Sequence, residues 1–377
     1  MPRPETRESY KDYHAKGKTV KITQIEQIPV EIPYMERVRD HLQKGWNFGN
    51  RATDDEFQAN RGEHERQWRE SSPPTVETSI YRVHTDEGNI GIGEGAGIAQ
   101  EKLQTYLGRS PFEFIMDDSA GPLQIAFYDL MGQAVGLPMA QMFGTCQESA
   151  PIAYWSQCFP PEVMQEEVKI ALEGGFRVHK FKRRAHTDVV EQVQAIAEVA
   201  PEDYELTIDA NTTFGTVERT ISFGRRLKEY PHVKCLESPI VQDDVEGYLR
   251  IKKELGLPLA IHFGSPSPTI SLPSPAYDYY VVGGWFAGIL RCANIASAAN
   301  KPFWLQMGFT GVSAVFMTHL AAALPNASLS HVSLYILLEH SLLAEPLIIK
   351  DGLAKVPEGP GLGVGLDMDA VEQYRVG

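Results

Sequence analysis

Cysteine is scarce in this sequence, which contains only four in 377 residues. They stand at positions 146, 158, 235 and 292, and no two of them form a CxxC pair. This wide spacing argues against a zinc knuckle and against a disulfide framework. We therefore expect buried free thiols in a reducing compartment, which favours a cytoplasmic protein.

Basic residues and long apolar runs are also in short supply. Lys and Arg total 35 against 49 Asp and Glu, which gives a formal net charge of −14. Because nucleic-acid binding requires clustered basic residues, this balance argues against it and indicates an acidic, solubilising surface. No stretch approaches about 18 uninterrupted apolar residues, and the opening MPRPETRESYKDYHAKGK lacks the apolar core of a signal peptide. We expect neither a nucleic-acid partner nor a membrane partner.

A phosphate-binding glycine loop is missing as well. The glycine run at 91–97 does not match GxGxxG, because Ala96 stands at the sixth position. The surrounding TVETSIYRVHTDEGNIGIGEGAG instead alternates like two strands joined by a turn at 86–88. We therefore expect a hairpin here and no bound nucleotide.

The apolar content of 43% is ample for a large core, and the length suggests two domains. Residues 1–20 are predicted to form a polar tail. The charged segment 35–73 has no period that can be counted. We expect a long loop with some helix there, which acts either as a lid or as a solvated insertion.

From residue 149 onwards, short apolar strands alternate with helical segments. Strands are predicted near 152–157, 178–182, 205–209, 233–237 and 258–262, and helices at 161–174, 188–200, 216–229 and 244–255. Alternation of this kind produces parallel strands. Polar residues recur at successive strand ends without a glycine loop, which favours an α/β fold of the (β/α) barrel type over an open sheet.

Three of these strands end in chemically active side chains, in the pieces VHKFKR, LTIDAN and CLESP. Residues two apart in a strand share a face, so Lys180 and Lys182 point the same way, as do Asp209 and Asn211. The gaps between Lys182, Asp209 and Glu237 are 27 and 28 residues, about one strand plus one return helix. Two amines are therefore predicted to face two acids at one mouth of the barrel.

Several motifs together resemble the mandelate racemase and muconate lactonising branch of the enolase superfamily. They are FRVHKFKR, TIDANTTF, CLESPIVQDDVEGYLRI, FYDLMGQAVGLP and the closing VPEGPGLGVGLD. The resemblance implies an α+β capping domain, formed from both chain ends, over a modified TIM-type (β/α) barrel. The capping domain would cover 21–148, the barrel 149–345, and a returning segment 346–377. The implied chemistry is magnesium-assisted removal of the proton next to a carboxylate.

The resemblance also implies roles for the residues at the predicted mouth. Asp209 and Glu237 match metal ligands, and carboxylate oxygens suit a hard cation such as Mg2+. Lys182 matches the base of a KxK pair, in which nearby cations can lower the pKa of an amine. Lys180 would orient that base or contact the substrate carboxylate. The alternative is a purely structural set of ion pairs.

The third metal ligand departs from the family pattern. The acid expected after the fifth barrel strand is replaced in PLAIHFGSP, where His262 or Phe263 takes its place. Imidazole can bind a divalent metal, but Mg2+ prefers oxygen, so the substitution predicts a weaker site or a preference for manganese, iron or zinc. The alternative is a His262 that faces the substrate. The proline-rich GSPSPTISLPSPA that follows predicts that the usual helix is missing.

The opposite side of the predicted site is altered too. The racemase pattern has an Asp after strand six, matched by Asp278, which orients a His on strand seven. Gln306 stands where that His belongs, and the strand-six lysine of the muconate type is absent. An amide exchanges no proton at neutral pH. Racemisation needs a base on each face of the α-carbon, so it is disfavoured, whereas a one-base elimination survives.

Aromatic and amide side chains are candidates for the remaining contacts. We expect Trp155, Asn211 and Tyr335 to contact the substrate. The candidates for a general acid are Tyr279, Tyr280, His331 and Tyr335, although core packing is the commoner role of such residues. Further aromatic residues flank the strand ends and either line the pocket or pack within the barrel: Phe181, Phe263, Trp285, Phe303 and Trp304.

These residues predict a metal-dependent lyase, specifically a dehydratase, that removes the α-proton of a small hydroxy-carboxylate through an enolate. The alternatives are a cycloisomerase or another lyase that starts from the same enolate, and a binding protein that keeps the barrel without turnover. Retention of both lysines, Asp209 and Glu237 favours the enzyme. The expected cofactor is Mg2+ or another divalent metal, the expected partner is a small-molecule carboxylate, and the expected assembly is a homo-oligomer.

Overall fold

A three-stranded antiparallel sheet forms the start of the capping domain. The computed structural model describes residues 20–377, so the predicted tail at 1–20 lies outside the described residues except for residue 20. The strands, in their order in the sheet, are β1 (Ile22–Pro33), β2 (Thr75–Thr85) and β3 (Ile90–Gly95). The predicted turn joins β2 to β3, and Gly88 adopts φ 84° there, a left-handed conformation that suits glycine.

The segment 35–73, predicted as a long loop with some helix, is more helical than expected. It contains α1 (Glu36–Asn47), α2 (Asp54–Ala59) and α3 (Arg61–Glu70). α1 is amphipathic and buries Val38 and Leu42. Thr53 begins α2 with a capping box that it forms with Glu56. Charged residues on the exposed faces of these short helices obscure the helical spacing of their apolar residues in the sequence.

The glycines of β3 allow close packing of a helix. α5 (Leu123–Val135), which follows the short α4 (Gln100–Gln104), lies against β3. A Cβ on Gly91 would lie 2.4 Å from the carbonyl oxygen of Ala126, and one on Gly93 would lie 2.9 Å from its amide nitrogen. The close approach of helix and strand thus accounts for the glycine run.

Eight parallel strands form the barrel, since each pairs with the next along the chain and the last pairs with the first. They are β4 (Ser149–Ser156), β5 (Val178–Lys182), β6 (Glu205–Asp209), β7 (Val233–Glu237), β8 (Leu259–His262), β9 (Tyr279–Val282), β10 (Phe303–Met307) and β11 (His331–Ser333). The intervening helices are α6 (Pro161–Glu173), α7 (Val189–Ala197), α8 (Val217–Leu227), α9 (Val245–Leu255), α10 (Pro268–Ser271), α11 (Phe286–Ala298) and α12 (Gly311–Ala323). The connection from β8 to β9 contains only the single turn α10, as the prolines predicted.

Near the end of the chain, β12 (Ile349–Lys350) and β13 (Leu353–Lys355) form a hairpin that pairs antiparallel with β4 of the barrel. The chain then returns to the capping domain and forms α13 (Met368–Gln373). The amide of Glu31 in β1 donates to the carbonyl of Tyr374 at 2.9 Å, and the amide of Val376 donates to the carbonyl of Pro29 at 3.0 Å. Both chain ends therefore build the capping domain. The predicted fold class, a modified (β/α) barrel with an α+β cap, is confirmed.

Two buried carboxylates join the capping domain to its neighbours. Glu94 of β3 accepts hydrogen bonds from the amides of Thr310 at 3.0 Å and Ser313 at 2.5 Å, where α12 begins and its dipole favours negative charge. Asp129 of α5 accepts hydrogen bonds of 2.8 Å from a β3 amide and from the amide of Leu362. The contacts of Glu94 fix the cap to the barrel, whereas those of Asp129 hold segments of the cap together.

None of the helices within residues 20–377 combines the length and the apolar character needed to span a bilayer. All four cysteines are free, as predicted. Cys158 and Cys235 are buried, whereas Cys146 and Cys292 are only partly buried.

Candidate active site

The alternation of side chains along the barrel strands brings the predicted lysines and acids to its inner face. Lys182 stands opposite Asp209, and Asp209 stands opposite Glu237, in the pairing of β5, β6 and β7. Because parallel partners in register share a face, the three side chains meet at the carboxyl ends of these strands. Lys180, two residues before Lys182, lies one step deeper on the same face.

These four side chains form one charged cluster. The Nζ of Lys182 lies 2.5 Å from Oδ2 of Asp209. The Nζ of Lys180 lies 2.7 Å from Oε2 of Glu237 and 3.5 Å from Oδ2 of Asp209. Lys182 keeps 12% of its side chain exposed, whereas the other three are almost fully buried. Water therefore screens these charges very little, and each strongly affects the protonation of the others.

The pKa values in the cluster follow from this arrangement. Burial acts to raise the pKa of the Asp209 carboxyl, but the ammonium groups of Lys182 and Lys180 outweigh it and hold that pKa well below its usual range. Burial acts to lower the pKa of Lys180, but the charges of Glu237 and Asp209 raise it above its ordinary value. For Lys182 burial prevails, and the nearby charge of Lys180 adds to it, so its pKa is lowered. Lys182 is thus the amine of the pair that gives up its proton more readily.

Asp209, Glu237 and His262 offer ligand atoms that all lie within 4.8 Å of one another. The Nε2 of His262 is 3.2 Å from Oε1 of Glu237. Within residues 20–377, neither carboxylate oxygen of Glu237 has a hydrogen-bond partner, although the residue is fully buried and Lys180 lies within ion-pair distance. Two carboxylates and an imidazole with unused lone pairs are a donor set that suits a divalent cation.

Gln306 and Asp278 are the two residues predicted for the opposite side of the site. They lie in different parts of the barrel. Oε1 of Gln306 accepts a hydrogen bond from Nζ of Lys180 at 2.5 Å, so Gln306 lies in the site. The predicted position of Asp278 after strand six is wrong, because it precedes β9 and lies at the amino end of the barrel. Its carboxylate accepts hydrogen bonds from Nζ of Lys252 at 2.6 Å and from the amide of Leu259 at 3.0 Å. Asp278 therefore supports the fold and has no contact with Gln306.

Two predicted substrate contacts lie beside the cluster. Trp155 is buried at the end of β4, opposite Lys180 in the strand pairing, and its ring stacks on Trp46 of α1 with centroids 6.1 Å apart. Asn211 adopts φ 45°, and its amide donates to Oδ1 of Asp209 at 2.9 Å. Both residues are thus at the mouth, between the barrel and the cap.

Of the four predicted proton donors, Tyr335 alone follows the carboxyl end of a strand, in a turn after β11. Burial raises its pKa to about 12, so its hydroxyl stays protonated at neutral pH. His331 begins β11, and its Nδ1 accepts a hydrogen bond from the amide of Leu305 at 2.7 Å. Tyr279 begins β9 at the amino end, and Tyr280 alternates to the outer face. The positions of these three disfavour a catalytic role.

The flanking aromatic residues divide between the site and the packing. Trp304 lies on the inner face of β10, and its ring centroid is 5.5 Å from Nζ of Lys180. Phe181 alternates to the outer face and packs near His179, with ring centroids 5.9 Å apart. Trp285 stacks on Phe309. Trp304 also lines a cavity with Val178, Glu205 and Tyr279 at the starts of the strands, so it lies towards the amino end of the barrel from Lys180.

A family model described as Enolase C-terminal domain-like matches residues 163–262 and 276–370, just over half of the chain. The chain belongs to the enolase superfamily. Within it, the match and the relatives correspond to the mandelate racemase and muconate lactonising branch. The curated relatives of this superfamily member include racemases, cycloisomerases and dehydratases.

An N-succinylamino acid racemase from Thermus thermophilus is 29% identical over 269 residues, covering 67% of this chain and 70% of the racemase. An arabinonate dehydratase from Saccharolobus solfataricus is 25% identical over 264 residues, covering 66% of this chain and 70% of the dehydratase. An enolase from Pseudomonas fluorescens Pf0-1, solved with bound magnesium, potassium and tartrate, superimposes with a TM-score of 0.74 at 18% identity, covering 95% and 92% of the two chains. The last likeness shows the shared fold alone.

Sequence reasoning missed two residues at the mouth of this enolase-superfamily barrel. Gln157 directly follows β4, and Arg184 follows Lys182 by two residues; both are buried, with exposures of 0% and 2%. The sequence signal for both residues is the alternation of side chains along a strand. Gln157 and Arg184 each follow an inward-facing residue, Trp155 or Lys182, by two positions. The basic run KFKRR conceals this signal, since such runs are usually solvated.

Proposed function

We propose that this enzyme is a metal-dependent dehydratase that removes the α-proton of a small hydroxy-carboxylate, with Lys182 as the base. The observation that carries this proposal is the asymmetry across the site. An amine with a lowered pKa lies on one side, and the neutral amide of Gln306 lies on the other. A site with one base favours elimination over racemisation, since inversion needs proton exchange on both faces of the α-carbon.

The proposed metal ligands are Asp209, Glu237 and His262, and the ion is Mg2+ or another divalent cation. The buried carboxylate of Glu237, whose Oε1 lies 3.2 Å from Nε2 of His262, supports this assignment. When bound, the ion would supply positive charge that stabilises the substrate carboxylate as negative charge builds up on it. His262 supports a broader metal preference than an all-oxygen set, because imidazole suits softer divalent ions.

Lys182 and Lys180 have different tasks in this proposal. Lys182, which keeps some exposure towards the mouth, takes the α-proton, and the electron pair of the C–H bond becomes the carbon–carbon double bond. Lys180, whose pKa is raised by its acidic neighbours, stays charged and holds the substrate carboxylate. Trp155, buried at the end of β4, excludes water from the reacting atoms.

The β-hydroxyl must gain a proton as its bond to carbon breaks, so that water leaves. We assign this proton to Tyr335, which burial keeps protonated and which follows β11 at the mouth. The resulting enol then gives a 2-keto-3-deoxy acid. Asn211 and Trp155 complete the substrate contacts in this assignment.

A cycloisomerase is the second candidate, since it starts from the same proton removal and curated relatives carry that activity. A binding protein without turnover is less favoured. A buried cluster of two lysines and two acids is costly to maintain, and its retention is explained better by chemistry than by structure.

The test is incubation of the magnesium-loaded protein with a panel of 2,3-dihydroxy acids in deuterated solvent, followed by NMR. We expect loss of water and appearance of a 2-keto-3-deoxy acid from one stereoisomer of each accepted pair. Deuterium exchange at the α-carbon of both stereoisomers at comparable rates, without loss of water, would show that the enzyme is a racemase. Lactone formation without dehydration would support the cycloisomerase.

We also propose that the enzyme works in the cytoplasm as a homo-oligomer. The four free cysteines support a reducing compartment. Sedimentation equilibrium tests the assembly, and a monomer at micromolar concentration would contradict it.

A further inference from the structure

Two buried side chains at the mouth, just beyond the lysine cluster, have polar atoms without partners. Gln157 is fully buried, yet within residues 20–377 neither its amide oxygen nor its amide nitrogen has a hydrogen-bond partner. The indole Nε1 of Trp155, two residues earlier, is buried and unpartnered as well. Buried amides in folded proteins are nearly always paired, so a buried amide without a partner is a candidate contact for a ligand.

Arg184 adds a positive charge to the same place. Its guanidinium donates to the carbonyls of Arg183 at 2.8 Å and Gly45 at 3.4 Å, and to Oδ1 of Asn211 at 3.1 Å. All three acceptors are neutral, and no carboxylate among residues 20–377 forms an ion pair with Arg184. Arg183, by contrast, pairs with Asp54. Arg184 is thus a buried cation without a counter-ion, which is costly in a folded protein.

These groups converge on one point of the capping domain. A Cβ on Gly45 of α1 would lie 2.9 Å from Cδ of Gln157, and the carbonyl of Gly45 accepts from Arg184. Gln157 and Arg184 therefore flank the same turn of α1. Asn211 links Arg184 to the lysine cluster, since its amide donates to Asp209. Gln157 and Arg184 stand two residues beyond Trp155 and Lys182 in the sequence, and both contact Gly45, so they lie on the cap side of the lysine cluster.

We propose that Trp155, Gln157 and Arg184 form a distal subsite that binds a second carboxylate, so that the substrate is a hydroxy dicarboxylate. This inference rests on the proposed function. A carboxylate supplies both of the missing elements: acceptor oxygens for the indole and amide N–H groups, and a counter-charge for the guanidinium. A neutral hydroxymethyl end would leave the charge of Arg184 uncompensated, so it fits the subsite poorly.

Paired ligands test the subsite directly. D-glucarate and galactarate carry a carboxylate where D-gluconate and D-galactonate carry a hydroxymethyl group. Calorimetry with magnesium present, on a Lys182→Ala background that suppresses turnover, measures affinity for all four. We expect each diacid to bind at least about tenfold more tightly than its matched monoacid, and Arg184→Met to remove that difference. On the Lys182→Ala background, equal affinities for the matched diacid and monoacid would overturn the subsite, as would the absence of binding by any diacid. Tighter binding of diacids that persists after Arg184→Met would overturn it too.

Two further variants control for damage to the fold. Arg183→Met removes an equally buried guanidinium that already has Asp54 as its partner, so the ratio of diacid to monoacid affinity should stay unchanged. If Arg184→Met does not fold, Gln157→Leu removes the unpaired amide while keeping the volume, and it should lower diacid affinity alone. Dehydration of monoacids without a diacid preference would overturn the subsite and leave the dehydratase standing. Tighter binding of diacids without dehydration would support the subsite and overturn the dehydratase.

Discussion

Gln306 accepts a hydrogen bond from Nζ of Lys180 at 2.5 Å, so a neutral amide is held in the site by the lysine that is not the proposed base. Lys180 also contacts Glu237 at 2.7 Å and keeps a raised pKa, whereas burial lowers the pKa of Lys182. The chemistry of one face therefore depends on Lys182, and the other face can only donate or accept hydrogen bonds.

We expect Lys182→Ala to lower turnover by about 10³-fold or more and to abolish exchange of the α-hydrogen with solvent, since it removes the base. Gln306→Ala should cost only about tenfold, as expected for one lost neutral hydrogen bond. NMR in deuterated solvent, with each stereoisomer of an accepted substrate, measures both quantities. Continued exchange in Lys182→Ala would mean that another base acts.

The donor set predicts a metal preference that one substitution should change. His262→Asp would complete an all-oxygen site, so affinity for Mg2+ should rise relative to that for Mn2+ and Zn2+. Calorimetric titration of the metal-stripped protein with each metal alone gives the ratios. His262→Ala is the matched control and should weaken binding of all three. An unchanged ratio in His262→Asp would remove His262 from the ligand set.

Substitution of Asp278 tests whether this residue belongs to the active site or only stabilises the fold. Its ion pair with Lys252 is partly exposed and lies at the amino end of the barrel. Asp278→Asn should therefore lower the free energy of unfolding by about 1 kcal/mol and leave kcat/KM nearly unchanged. Urea denaturation and steady-state kinetics separate the two effects. A large fall in kcat at constant stability would restore a catalytic role for Asp278.

The residues of the lysine cluster could be predicted because strand alternation alone fixes which side chains share a face. The position of Asp278 could not be predicted, since it depends on where β9 begins. The strand starts at Tyr279, which places the carboxylate of Asp278 at the amino end of the barrel, away from the site. Neither Arg183 nor Arg184 could be assigned from the sequence. Which of the two meets Asp54 depends on how the cap docks, and this is a tertiary contact without a local signal. The capping box at Thr53 and Glu56 was readable, and it marks a helix start within the predicted loop.

Asp129 should give the stability of the protein a distinctive pH dependence. Burial raises the pKa of its carboxyl to about 6, above the ordinary value of 3.8, although backbone hydrogen bonds oppose the shift. The protonated form is thus favoured by folding, so this contribution is fully present below about pH 4 and is lost as the pH rises to about 6. Its size is about 3 kcal/mol. Asp129→Asn should lack this slope, and the difference between the two pH profiles of unfolding free energy isolates it. Parallel profiles would contradict the prediction.

The ion pair between Asp54 of the cap and Arg183 of the barrel should affect access to the site. Asp54, at the start of α2, pairs with Arg183, which is buried and also donates to the carbonyl of Thr213 at 2.8 Å. Asp54→Ala would leave that guanidinium uncompensated, at a cost of about 2 kcal/mol once the partial exposure of Asp54 is allowed for. We expect faster hydrogen exchange across 36–70 and a higher KM with a smaller effect on kcat, because a loosened cap binds substrate less well. Asp55→Ala is the matched control: Asp55 is 82% exposed and, within residues 20–377, pairs only with Arg219, so its loss should change neither quantity appreciably. If exchange across the cap rises in Asp54→Ala while KM stays constant, the three helices cover the barrel without gating it.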